Sequence, residues 1–217
     1  MCDLILVLFV ALLCIKLKVA KKRQIFGDYL SLENTTALRG ALAIIIILHH
    51  MSERIQNTKI FLILMHSGYL VVSVFFFLSG VGLIASIKKG SAYLHKFLTH
   101  RVLYFLIVYL FVTVLYIIEK ILTGKITSIN YILKSFVSFN PIASNSWYMI
   151  VLILYYLIFW ISFKIFKSSN QKAIIAVFLF QIALTIIFVL CGAPSIWYIS
   201  GFAYVAGMFW VYNDENN

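Results

Sequence analysis

Leu38-Arg39-Gly40-Ala41-Leu42-Ala43-Ile44-Ile45-Ile46-Ile47-Leu48-His49-His50 is the stretch on which the reading of this chain turns. It has the hydropathy of a membrane helix, yet its unbroken apolar run, Gly40 to Leu48, is only nine residues long. Crossing ~30 Å of hydrocarbon takes roughly 20 apolar residues. The segment therefore either does not cross, or it carries a cation or a histidine at membrane depth. A charged or titratable side chain there costs about 2.5 kcal/mol or more and by default marks a functional site. Arg39 and His50 are eleven residues apart. On a helix that is three turns plus about 20°, so both face the same way, about 16 Å apart along the axis. Spacing alone leaves two readings open. One is a functional pair. The other is an arginine that snorkels to one surface and histidines that end the helix at the other.

Composition decides the class. Of 217 residues, 63% are hydrophobic and only 12% charged, against about 25% charged in a soluble domain. A water-soluble core of this size cannot absorb that apolar surface, so the chain is an integral membrane protein. The net charge of +11 would suggest nucleic acid in a soluble protein. Here the basic residues fall between apolar runs, where they set topology, and no nucleic-acid partner is expected. Cys2, Cys14 and Cys191 show no paired spacing and read as small hydrophobes. The histidines show no metal-ligand spacing beyond the single helical turn of His49, His50 and Glu53, and no metal is expected.

Seven apolar segments emerge, at about 4–20, 35–51, 60–87, 102–118, 147–163, 173–191 and 196–212. Runs such as Ile44 to Ile47 do not alternate as barrel strands would. Helices satisfy their own backbone in lipid, so the expected fold is an all-α, polytopic transmembrane bundle of about seven apolar helices. Leu4 to Ile15 is followed, not preceded, by Lys16, Lys18, Lys21, Lys22 and Arg23. That order is the reverse of a cleavable signal, so 1–23 reads as a retained anchor with a cytoplasmic basic flank. The remainder, 24–217, reads as one transmembrane domain. Placing 16–23 inside puts thirteen basic residues on the inner side and five on the outer, which favours an N-out, C-in chain. His66-Ser67-Gly68 interrupts the long third segment, leaving Ile60 to Met65 along the interface and Tyr69 to Ile87 to cross. Residues 119–146, with Gly124, Asn140, Pro141 and Asn145, read as an outer connector with an amphipathic turn.

Four constellations carry chemistry. A neutral imidazole takes a proton from a hydroxyl near pH 7, and Glu53 is i+4 from His49 and i+3 from His50, within reach to orient either ring. In Phe75-Phe76-Phe77-Leu78-Ser79-Gly80-Val81-Gly82 the glycines admit close approach of a backbone or ligand, and Ser79 can bond across helices. Lys96, His100 and Arg101 cluster within about one and a half turns, suited either to phosphate oxygens or to a positive-inside stop. Trp147-Tyr148 opens the fifth segment, where a belt aromatic is the default reading.

Together these pieces resemble the membrane-bound acyltransferase family 3. Arg39-Gly40 and His50 match its Arg-Gly pair and the His after ten intervening residues; His49 stands one residue early. Phe75 to Gly80 matches its Phe-Phe-x-Leu-Ser-Gly stretch, and Trp147-Tyr148 the start of a later helix. Pro194 to Tyr198, and Phe202 to Met208 with Gly207, look like a further family helix. Arg101 matches the first of two expected arginines, but Tyr104 occupies the place of the second, and Ser73 stands where many members have Asp. The resemblance covers about 34–212.

The resemblance implies an O-acyltransferase that moves an acyl group, commonly acetyl from cytoplasmic acetyl-CoA, to a hydroxyl of an extracytoplasmic carbohydrate or envelope polymer. It implies a multi-pass protein of a bacterial plasma membrane. His50 would be the general base or acyl-relay residue, with His49 and Glu53 beside it, and Arg39, like Arg101, would hold the donor's charged part or order the pore. Arg101, His100 and Lys96 would hold the donor, and Ser79, Gly80, Trp147 and Tyr148 would line or pack the substrate path. The family's usual architecture has about ten helices. A shorter chain is then expected to be incomplete, or to need a partner chain or second copy. The rival reading is a small transporter or flippase subunit with Arg39 and His50 lining its pathway, or an inactive fragment.

Overall fold

The computed structural model describes residues 4, 7, 8, 11, 12, 27, 29–54, 64–90, 92–125 and 128–214. Apart from five positions, the expected 1–23 anchor lies outside them, as do residues 60–63 of the third segment. Every regular element among the described residues is helical: α1 Leu32–Ser52, α2 Gly68–Lys88, α3 Ala92–Leu122, α4 Ile129–Val137, α5 Trp147–Ile165, α6 Asn170–Leu190 and α7 Phe202–Asp214. The all-α bundle of about seven helices is therefore what the sequence implies. Five of them, α1, α2, α3, α5 and α6, are long and apolar enough to cross a membrane. A 21-residue helix such as α1 is about 32 Å long, which matches the hydrocarbon core.

Local chemistry sets the helix limits. The Ser31 hydroxyl accepts from the Asn34 N–H at 3.2 Å and Glu33 lies in the first turn of α1, next to its positive end. Ser128 and Ser169 cap α4 and α6 in the same way. Gly124 and Gly192, with φ of 69° and 71°, stop α3 and α6 in a left-handed conformation that only glycine enters cheaply.

The chain divides into two compact units, Met1–Leu78 and Ser79–Asn217. In the first, α1 packs antiparallel to the leading turns of α2. Arg39 meets Leu78 at one end of this pair and His49 meets Gly68 at the other. Leu42, Val71 and Leu78 are buried in the seam, with Ile45, Ile46, Val74, Phe75 and Phe77 around them. Lipid tails are as apolar as leucine, so interdigitation, not exclusion of water, holds such a seam.

In the second unit α5 is the central element. Val151, Leu152, Tyr155, Tyr156, Phe159, Ser162 and Phe163 form its buried stripe, and Ala173, Ile174, Val177 and Gln181 are the buried face of α6. Phe97 of α3 packs edge-on against Tyr156, with ring centroids 5.7 Å apart, and lies 5.2 Å from Phe159. Gly80 faces the backbone of α7: a Cβ there would strike the Tyr204 carbonyl oxygen and lie 3.1 Å from the Met208 nitrogen. Further along, the Lys88 ammonium donates to the Val211 carbonyl at 3.1 Å, among the last-turn acceptors of α7. Alanine gains about 1 kcal/mol of helix propensity over glycine, but overpacking against unyielding backbone costs about 1–3 kcal/mol. Gly80→Ala should therefore lower the melting temperature of the purified protein. An unchanged or higher melting temperature would contradict this packing.

The 196–212 segment departs from the continuous helix expected. Ser195–Trp197 forms one 3₁₀ turn and α7 begins only at Phe202. At 13 residues, about 20 Å, α7 is too short to cross on its own. Only glycine fits in the turn before α7, since a Cβ at Gly201 would strike the Tyr155 hydroxyl and lie 2.9 Å from the Gln181 amide nitrogen.

Candidate functional site

The site is built on α1. Because the helix is continuous from Leu32 to Ser52, Arg39 and His50 stay on one side of it, three turns apart. Arg39 is half-buried, and its Nη2 donates to the Leu78 carbonyl at 3.1 Å. The Arg-Gly motif thus touches the aromatic Ser-Gly motif immediately before Ser79. A guanidinium carries five N–H donors, and this is the single hydrogen bond found for it among the described residues.

The two histidines behave differently. His49 lies in the helix seam, its side chain 14% exposed. Its ring rests over Gly68, where an added Cβ would strike Nε2 and come within 2.7 and 2.8 Å of Cδ2 and Cε1. Its Nδ1 is 2.9 Å from the Leu64 carbonyl oxygen. A carbonyl only accepts, so Nδ1 carries a hydrogen, and in the neutral ring Nε2 holds the lone pair. His50 is 35% exposed, and its Nδ1 lies 3.3 Å from Glu53 Oε2. Glu53 itself is half-exposed and also sets Oε1 3.7 Å from His49 Nε2. An ionised carboxylate accepts from His50 Nδ1–H, which leaves His50 Nε2 as an open proton acceptor. Both rings sit in the last turn of α1, where unsatisfied carbonyls favour positive charge.

His49, His50 and Glu53 are thus brought together, and Arg39 stands apart from them on the same helix. Gly68→Ala should unseat the His49 ring. Overpacking of this kind costs about 1–3 kcal/mol, read as a lower melting temperature. A melting curve identical to that of the parent protein would show that the ring does not occupy this seat.

Lys96, His100 and Arg101 belong to the second unit. All three are exposed, on or beside a π-helical segment, Leu98–Leu103, set into α3. Such widened turns recur at functional sites, and this one is anchored by buried Phe97 on α5. Tyr104, in the place of a second arginine, is exposed just after it. Ser79 is half-buried and Gly80 is closed by α7. Trp147 and Tyr148 open α5, half-buried and edge-to-face at 6.5 Å.

Three contributors escaped the sequence reading. Leu64 acts through its backbone, which leaves no side-chain signal. Gly68 stood out only as a break in a long segment. The meeting of Tyr155, Gln181 and Gly201 joins two helices and the turn before α7, and nothing in the linear order pairs them.

A family model described as an acyltransferase domain matches residues 33–217. No curated protein and no solved structure matches the chain.

Proposed function

Since this chain belongs to acyltransferase family 3, a family of membrane acyltransferases, we propose that it transfers acetyl from cytoplasmic acetyl-CoA to a hydroxyl of an extracytoplasmic carbohydrate or envelope polymer, in a bacterial plasma membrane. The observation that carries this reading is the His50–Glu53 contact of 3.3 Å at the end of the helix that also holds Arg39. Glu53 orients the ring through Nδ1, and Nε2 is the base. It takes the acceptor's hydroxyl proton as that oxygen bonds to the thioester carbonyl carbon. The C–S bond then breaks, and the leaving thiolate receives the proton from His50. Arg39, three turns along the helix from His50, presents its remaining donors to a charged part of the acyl donor, away from the reacting carbon. Arg101, His100 and Lys96 hold the donor's phosphates.

The test is radiolabelled acetyl-CoA supplied to the protein reconstituted in vesicles, with release of free thiol and label on the acceptor as readouts. Arg101→Ala should raise KM for acetyl-CoA about 10-fold or more with a smaller change in kcat, since a hydrogen bond to a charged group contributes about 1.5–3 kcal/mol. An unchanged KM would remove Arg101 from the donor site. Thiol release no faster than in empty vesicles would overturn the acyltransferase reading itself.

A further inference from the structure

The side chain of His49 poses a question that the base role of His50 leaves unanswered. Its Nδ1–H is committed to the Leu64 carbonyl at 2.9 Å. Its Nε2 lone pair therefore points toward Glu53 Oε1, 3.7 Å away, which is also a lone-pair atom. In the neutral ring no hydrogen lies between them, so the pair becomes favourable with a proton on Nε2 or with a metal cation in the gap. The other carboxylate oxygen, Oε2, lies 3.3 Å from His50 Nδ1. Donor atoms of His49, His50 and Glu53 all fall within 4.8 Å of one another.

We propose that His49 Nε2, His50 Nδ1 and Glu53 form a three-ligand site for a divalent transition metal of the zinc type, and that its occupation switches off the proton-accepting face of His50. Zinc binds histidine nitrogen and carboxylate oxygen at about 2.0–2.2 Å, which puts tetrahedral ligand atoms roughly 3.3 Å apart. The contacts of Glu53 with the two rings, 3.3 Å through Oε2 and 3.7 Å through Oε1, lie close to that spacing, and side-chain rotation must bring the ligand atoms, all within 4.8 Å of one another, onto one ion. The Leu64 carbonyl behind His49 supplies the outer partner that fixes the tautomer of a metal-ligating imidazole. Glu53 and His50 are partly open to solvent, so an ion can enter and a fourth position stays free. The site departs from the absence of metal expected from the sequence, where the turn of His49, His50 and Glu53 is the single spacing of that kind.

The consequence follows from one proton. A metal on His50 Nδ1 takes the place of the Nδ1 hydrogen, so the ring's hydrogen resides on Nε2. That nitrogen then has no lone pair for a hydroxyl proton. This second half rests on the acyltransferase reading; the binding half does not.

The experiment titrates zinc chloride into the full chain in detergent micelles by calorimetry, and repeats the titration with cobalt, whose visible absorption reports tetrahedral coordination. One ion per chain is expected. Affinity should fall more than tenfold in Glu53→Gln, an exposed position that leaves the helix seam intact, and in His49→Gln. His95→Gln should bind as the parent does. Absence of stoichiometric binding, or binding untouched by Glu53→Gln, overturns the site. Zinc should also stop thiol release from acetyl-CoA, with recovery after chelation; binding without inhibition overturns the switch. A parent protein that binds zinc but never releases thiol removes the acyltransferase reading and leaves the metal site standing.

Discussion

Arg39→Ala is expected to abolish acetyl transfer while the protein still inserts in the membrane in normal yield. Two terms act on insertion and oppose each other. Removing a guanidinium from a span relieves about 2.5–3.5 kcal/mol on insertion scales. Losing its charge-assisted bond to the Leu78 carbonyl costs about 1.5–3 kcal/mol. They nearly cancel, so membrane yield is a poor reporter of this residue. Activity is a sharp one, because each charge-assisted bond from the guanidinium to an anionic group of the donor contributes about 1.5–3 kcal/mol. Arg39→Lys should rescue little: an ammonium can reach one carbonyl but lacks the planar fork that leaves further N–H groups for a substrate. Transfer at the parent rate in Arg39→Ala, or a yield that falls in step with activity, would make Arg39 a structural residue only.

The second large effect is at His50. His50→Gln keeps a polar side chain of similar reach but supplies no proton acceptor of useful basicity, and general-base loss costs about 10²–10⁴ in rate. The melting temperature should barely move, since His50 is partly exposed and does not enter the α1–α2 seam. His49→Gln should show the opposite balance. Its ring fills the space over Gly68, so stability falls first and the rate follows through misplacement of Glu53. Equal rate losses in the two variants, with equal stability losses, would mean that the structure does not separate a base from a buttress.

The spans were legible because the bilayer sets their length. The segments read as 35–51, 147–163 and 173–191 appear as Leu32–Ser52, Trp147–Ile165 and Asn170–Leu190, shifted by a few residues where serine caps and a positive-φ glycine act. The rest depends on cross-helix contacts that hydropathy does not register. The segment read as 102–118 is Ala92–Leu122, because the polar turn of His95, Lys96, His100 and Arg101 remains helical once Phe97 is clamped by Tyr156 and Phe159. The connector contains a two-turn helix, Ile129–Val137, with Ile129, Leu133 and Phe136 exposed. Its apolar residues recur at helical spacing, but nine residues inside a loop are too few to stand out. The 196–212 run is interrupted before Phe202, where Gly201 lies against Tyr155 and Gln181. At the site, the shared face of Arg39 and His50 could be read from their spacing. The bond to Leu78 and the seat over Gly68 could not, because each requires the register between two helices.

The most direct test of the account is a single-turnover measurement of thiol release from acetyl-CoA, comparing the parent protein, Arg39→Ala, His50→Gln and His95→Gln at matched amounts in vesicles. The account predicts release by the parent and by His95→Gln, and none above background in the other two. Release by all four at one rate, or loss in His95→Gln as well, would contradict it.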